Sequence, residues 1–250
     1  MQYASPPPHP HLTPTSPRSG AKSTKRYFKM NLILASASPR RREILTTLGM
    51  EFAVAVPDAD ESSDIHDPAE LVRELALRKG ACVRDMLRDG RLQMSADTPA
   101  DPDGTLIISS DTLVWCAGEI LGKPRDRADA RRMLRLMSGR EHTVLSGIAL
   151  TLTGNATGDD RVVNDKVVSD VSATRVRFGE ISEHELDLYL ERCHYMDKAG
   201  AYAIQEGASM FIDGIDGDFF TVMGLPVRCM YRLAARGLGI DLQTLCHKTN

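Results

Sequence analysis

Short apolar runs alternating with capped, amphipathic segments predict an α/β fold for this 250-residue chain. Two stretches carry the prediction. Asn31-Leu32-Ile33-Leu34-Ala35 is a compact apolar strand, and Ser38-Pro39 follows at once as an N-cap with proline at the first helical position. Asp67-Pro68-Ala69-Glu70 then has the pattern of a capping box opening a long second helix. With 42% hydrophobic residues the chain can build a substantial core.

The remaining elements follow in order. The first helix carries Ile44, Leu45 and Leu48 at helical spacing and stops at Gly49. The second runs through Leu71, Val72, Leu75, Cys82, Val83 and Met86 to Gly90. Gln93 to Gly104 is polar and reads as a surface loop. Leu106 to Trp115 reads as a buried strand interrupted by the polar group Ser109-Ser110-Asp111-Thr112. Asp126 caps a helix with the stripe Ala130, Met133, Leu134 and Met137, ending at Gly139. Thr143 to Leu152 and Val167 to Phe178 are strands joined by a turn around Gly154 to Asp165. Ser182-Glu183-His184-Glu185 is another capping box, opening a helix through Leu186, Leu188 and Leu190. A last strand is expected around Met210 to Ile212, then a Gly-Asp turn and a helix from Pro226 to Arg236.

Residues 1–29, rich in Pro, Ser and Thr, read as a tail too polar to offset the entropy of ordering. The organisation expected is therefore this tail, a single domain over residues 30–240, and a short C-terminal tail over 241–250. Thirty-one Lys and Arg against thirty-four Asp and Glu give a net charge of −3, so no general electrostatic footprint for nucleic acid or an anionic membrane is expected. No apolar run approaches the roughly 20 residues a membrane helix needs. Five cysteines without a C-x-x-C spacing favour a reducing, cytoplasmic setting over a disulfide framework.

The chemistry concentrates at a few places. Ser38-Pro39-Arg40-Arg41-Arg42 puts three cations in the first turn of a helix, where the dipole and unpaired N–H groups already disfavour them. A bound polyphosphate resolves that conflict; a solvated basic face and a phosphorylation site at Ser38 are the alternatives. Asp111 is a carboxylate inside an apolar strand and must be paired, hydrogen-bonded or bound to a cation, unless it marks a turn. Glu61 follows another strand-like run and is either an ordinary surface acid or a second carboxylate for the same site. Two carboxylates with phosphate oxygens and water suit Mg²⁺. Lys123, fixed between Gly122 and Pro124, either contacts phosphate or is solvated. Asp197 and Lys198 either hold a backbone turn or complete a charged pocket. Neither a P-loop nor a G-x-G-x-x-G fingerprint occurs, which removes Walker-type nucleotidases and dinucleotide dehydrogenases.

Taken together these segments resemble the Maf family of nucleotide pyrophosphatases. Leu34-Ala35-Ser36-Ala37-Ser38-Pro39-Arg40-Arg41 looks like its opening signature, Ser110-Asp111-Thr112-Leu113-Val114 like its Asp-Thr segment, and Leu121-Gly122-Lys123-Pro124 like its Lys-Pro loop. Asp197 through Gln205, then Gly217-Asp218-Phe219 and Val222 through Pro226, resemble the C-terminal signatures. The resemblance implies a mixed sheet with flanking helices, two lobes around a central cleft, and metal-dependent hydrolysis of nucleoside triphosphates to monophosphate and diphosphate. Asp111 matches the catalytic carboxylate, and Glu61 and Lys123 match further active-site positions, with Asp111 and Glu61 as ligands for Mg²⁺ or Mn²⁺. Ser38, Arg40, Arg41, Thr112, Lys198 and Gln205 match substrate-binding positions. Arg40, Thr112 and Gln205 resemble the dTTP/UTP branch; a purine-directed, 7-methyl-GTP-type pyrophosphatase and a non-catalytic nucleotide- or nucleic-acid-binding regulator of division are the alternatives. Relatives also imply a homodimer. Glu206 departs from the family pattern, in which glycine usually follows the glutamine directly.

Overall fold

The computed structural model describes residues 30–92, 104–154 and 164–246. The N-terminal tail, nearly all of the 93–104 loop, most of the 154–165 turn and residues 247–250 lie outside it. One mixed seven-stranded sheet organises the chain, in the order β2-β1-β3-β5-β6-β7, with β4 paired to the far half of β3. The strands are β1 (Asn31–Ala35), β2 (Ala53–Ala55), β3 (Thr105–Cys116), β4 (Glu119–Leu121), β5 (Glu141–Leu152), β6 (Lys166–Phe178) and β7 (Ile212–Asp216). β1 runs parallel to β2 and β3, whereas β3 to β7 pair antiparallel. The helices are α1 (Pro39–Thr47), α2 (Pro68–Arg88), α3 (Arg127–Met137), α4 (Glu183–Arg192), α5 (Phe219–Met223) and α6 (Val227–Leu233).

β3 threads two large hydrophobic cores and contributes Ile107 and Leu113 to two smaller clusters. Its first half supplies Leu106 and Ile108 to a cluster with β1, α1 and α6; its second half supplies Val114 and Cys116 to a cluster with α3, α4 and β6. The polar residues Ser109 to Thr112 fall at the junction, so the interruption seen in the sequence is where the two cores part. α2 crosses this strand closely because β5 has glycine beneath it. A Cβ built on Gly147 would meet the Val72 carbonyl oxygen at 2.1 Å.

Four expectations change. The final strand forms at Ile212–Asp216, and Met210 instead lies exposed in a 3-10 segment, Gly207–Phe211. The apolar run Met210-Phe211-Ile212 drew the expectation N-terminal, yet an edge strand paired only to β6 tolerates the exposed Asp213 and Asp216, the latter ion-paired with Arg175 of β6. β4 was not expected. It returns along β3 through Ala117 and Gly118, both at positive φ (51° and 84°), as a two-residue hairpin turn requires. The Gly-Asp turn contains the short helix α5, capped by Asp218, whose side chain accepts from the Phe220 and Thr221 N–H groups. The folded chain also continues past residue 240, because Leu242 is buried in the first core and Cys246 bridges to Met50. Among the described residues no helix is long and apolar enough to cross a membrane.

Candidate active site

Alternation along β3 decides which way each polar residue faces. Ser109 turns toward α2 and donates to the Ala76 carbonyl at 2.7 Å. Asp111, two residues on, faces the same helix. There it meets Lys79, whose Nζ stands 2.5 Å from Asp111 Oδ1 and 2.7 Å from Glu61 Oε1. One ammonium thus joins a carboxylate from the strand to one from the segment after β2. Asp111 and Lys79 are largely buried, and Glu61 is half-exposed. Partial burial works to raise the Glu61 carboxyl, but the hydrogen bond and charge of Lys79, with Lys123 and Arg41 behind it, outweigh this and hold it below the usual range. The sequence reading missed Lys79. Its signal was a charge on the apolar stripe of α2, one turn beyond Leu75 and Ala76 and one before Val83.

On the opposite face of β3, Ser110 and Thr112 meet the Gly224 carbonyl and α1. Ser110 Oγ donates to Gly147 O and Gly224 O, at 2.7 and 2.9 Å. Arg41 donates from Nε to Gly224 O at 2.7 Å, from Nη1 to Ser36 Oγ at 3.2 Å and from Nη2 to Thr112 Oγ1 at 3.1 Å. Burial pulls its guanidinium below the ordinary arginine value while Asp111 and Glu61 oppose that, and the group stays cationic. Arg41 therefore ties three segments together as well as bordering the cleft. Thr112 Oγ1 shares a 2.8 Å hydrogen bond with Ser146 Oγ, which donates to Thr221 O.

The three arginines of the first helical turn separate. Arg42 donates to Ala37 O, and Arg40 reaches across the cleft to Asp197. Ser38 caps α1 without a side-chain bond; its own N–H donates to Ser36 Oγ at 3.1 Å.

A cavity of about 260 Å³ collects these groups. Its charged lining comes from Arg40, Arg41, Glu61, Lys79, Asp111 and Lys123. Its apolar lining includes Val114, Val144, Tyr202 and Val222. Behind it Tyr202 OH shares a 2.8 Å hydrogen bond with His142 Nε2, and burial takes His142 down to about 4. A second cavity of about 470 Å³ lies between α1, α6 and the C-terminal segment, but it holds none of the paired carboxylates and lysines. Chemistry, not volume, distinguishes the first.

Of the residues expected to contact substrate, Ser38, Arg40, Arg41, Glu61, Asp111, Thr112 and Lys123 all border this cavity. Lys198 and Gln205 do not. Lys198 is buried, with Nζ 2.8 Å from Asp197 Oδ1 and 3.5 Å from Glu206 Oε2. Gln205 has a buried Oε1 with no hydrogen-bond partner. Asp111 and Glu61 converge on the Lys79 ammonium. Among the described residues no third carboxylate, histidine or cysteine joins them.

The model of the Maf family, described as Maf-like protein, matches residues 31–236, nearly all of the folded chain. The chain belongs to the Maf family. Relatives within it share substantial identity. A dTTP/UTP pyrophosphatase of Symbiobacterium thermophilum is 44% identical over 197 residues, covering 78% of this chain and 88% of the relative. Proteins of the same name from Thermotoga maritima and Clostridium acetobutylicum are 40% and 38% identical, covering 81% and 85% of this chain and 87% and 100% of their own. The mixed sheet and the cleft between two cores agree with the fold expected from the Maf signatures.

Proposed function

We propose that this protein is a nucleoside triphosphate pyrophosphatase that converts dTTP and UTP to the monophosphate and diphosphate. The observation that carries the reading is the convergence of Asp111 and Glu61 on the Lys79 ammonium, in one cavity with Arg40, Lys123 and several apolar side chains. The apolar lining suits a base and sugar, and the charged lining suits a triphosphate. The names carried by the Maf relatives support the same substrates.

In this reading Asp111 orients a water, or takes its proton, for attack at the α-phosphorus. The bond from that phosphorus to the bridging oxygen breaks, and diphosphate leaves. Arg40 and Lys123 offset the charge that develops on the leaving group, so catalysis is mainly electrostatic and positional. Asp111 and Glu61 are the residues that would hold Mg²⁺ or Mn²⁺, which would supply charge to offset that of the phosphate oxygens. Lys79 holds the two carboxylates side by side and keeps Glu61 ionised. Gln205, matched by resemblance to a base-selecting position, lies outside the cavity with its Oε1 buried, so in this reading the apolar side chains rather than Gln205 face the base. A non-catalytic regulator would have no use for paired carboxylates facing an anionic ligand.

A homodimer and a cytoplasmic location complete the proposal; they rest on the family resemblance and on five cysteines that are all free thiols. The purified chain given dTTP with Mg²⁺ or Mn²⁺ is expected to release diphosphate and dTMP in equal amounts. Release of orthophosphate, or binding without release, contradicts the reading.

A further inference from the structure

Lys198 has a role that its distance from the cavity makes visible. Its ammonium is buried among protein groups, so it must be paired, and both partners are carboxylates: Asp197 Oδ1 at 2.8 Å and Glu206 Oε2 at 3.5 Å. The other oxygen of Asp197 is engaged elsewhere. Oδ2 accepts from Arg40 Nη1 at 3.0 Å, and the Asp197 backbone oxygen accepts from Arg40 Nη2 at 3.3 Å. Two donors of one guanidinium on one residue fix both the position and the plane of that cation.

The backbone around Lys198 is equally constrained. Gly200 and Ala201 both take left-handed conformations, with φ of 66° and 61°. The turn is held because Gly200 N–H donates to the Gly122 carbonyl at 3.0 Å and the Tyr189 hydroxyl donates to Ala201 O at 3.1 Å. Gly122 adjoins Lys123, so this hydrogen bond ties the turn after Lys198 to the lysine loop.

We infer that Lys198 is a positioning residue: through Asp197 it aims Arg40 at the triphosphate, and it does not touch the substrate. The inference rests on the reading of this cleft as a nucleotide site. Arg40, Asp197, Lys198 and Glu206 together carry no net charge. Removing the lysine does two things: it frees the Asp197 carboxylate to rotate, and it leaves an uncompensated negative charge at the lip of a site for a polyanion. Glu206, which departs from the family pattern, anchors the lysine from the far side.

The test uses the full chain with two substitutions, Lys198→Met and Lys198→Gln, each alone and combined with Arg40→Ala. With dTTP, each single variant should raise KM about tenfold and leave kcat within about threefold, as expected for lost binding without lost chemistry. In the Arg40→Ala background the same substitutions should raise KM by less than about twofold, because the residue they act through is gone. A full additional rise in that background would show that Lys198 contacts the substrate directly and would overturn the inference, as would a fall in kcat with KM unchanged. A second readout needs no turnover. In the nucleotide-free protein the guanidinium resonances of Arg40 should show hindered rotation, and Lys198→Gln should release it. If rotation is already free in the wild type, or stays hindered in the variant, the relay is wrong. If no nucleotide is hydrolysed while the resonances behave as expected, it is the functional reading that fails.

Discussion

Lys79 Nζ stands 2.5 Å from Asp111 Oδ1, and the same ammonium reaches Glu61 at 2.7 Å. A helix that lies close over the sheet thus places a positive charge between two carboxylates drawn from segments fifty residues apart in sequence. Close approach of α2, alternation along β3 and the short β2 are all needed for this contact. It follows that the site is sensitive both to its own groups and to the packing beneath them.

Asp111→Asn keeps the side-chain volume and one acceptor but loses the charge that a proton acceptor needs. Turnover of dTTP should fall about a thousandfold with the circular dichroism spectrum unchanged. An active Asp111→Asn enzyme would remove this residue from the mechanism.

Lys79→Met takes away the charge that offsets the burial of Glu61. The Glu61 carboxyl is held below its usual range in the native protein, so it stays ionised on mild acidification. Without Lys79 that carboxyl rises, and the acid limb of the kcat/KM profile should move to higher pH. A profile whose acid limb stays in place would mean that Glu61 ionisation does not limit activity.

Gly147→Ala tests the packing of α2. The added Cβ meets the Val72 carbonyl oxygen at 2.1 Å, so the helix must lift away and carry Lys79 with it. A loss of about 2 kcal/mol is expected, read as a fall in melting temperature of roughly 6 °C, together with reduced turnover. An unchanged melting temperature would show that α2 does not depend on this contact.

His142 gives the fold a pH dependence. Buried beside Phe178 and Tyr202, its imidazole is taken from the ordinary 6.5 down to about 4. The unfolded chain therefore binds a proton in that interval that the native protein refuses. Stability is fully present above pH 6.5 and declines as pH falls toward 4, by on the order of 3 kcal/mol at most. His142→Phe should flatten urea-unfolding stability across that window, whatever its cost at neutral pH; an unchanged slope would assign the dependence to other groups.

Much of this was legible in the sequence for reasons that are local. Asp67-Pro68 and Ser182-Glu185 mark helix starts because their caps are satisfied within a few residues, and Ser38-Pro39 marks one because proline is preset for the first helical position; α1, α2 and α4 begin there. The Ser109 to Thr112 interruption located the cleft because a buried strand tolerates polar residues only where something meets them. The misses involve tertiary context. Lys79 lies on an apolar stripe, and only the register of α2 over β3 shows that a carboxylate waits for it. The pairing of Lys198 with Asp197 and Glu206 was likewise hidden, because a charge in a motif does not reveal its partners. β7 forms later than its most apolar stretch, since pairing with β6 outweighs side-chain polarity at a sheet edge.

The central claim is that this cleft hydrolyses pyrimidine nucleoside triphosphates between the α- and β-phosphates. The most direct measurement is diphosphate release by the full chain across dTTP, UTP, CTP, GTP and 7-methyl-GTP under one set of metal and pH conditions. The account predicts the highest kcat/KM for dTTP and UTP, with both lost together in Asp111→Asn. A preference for GTP or 7-methyl-GTP, or no diphosphate from any of the five, would contradict it.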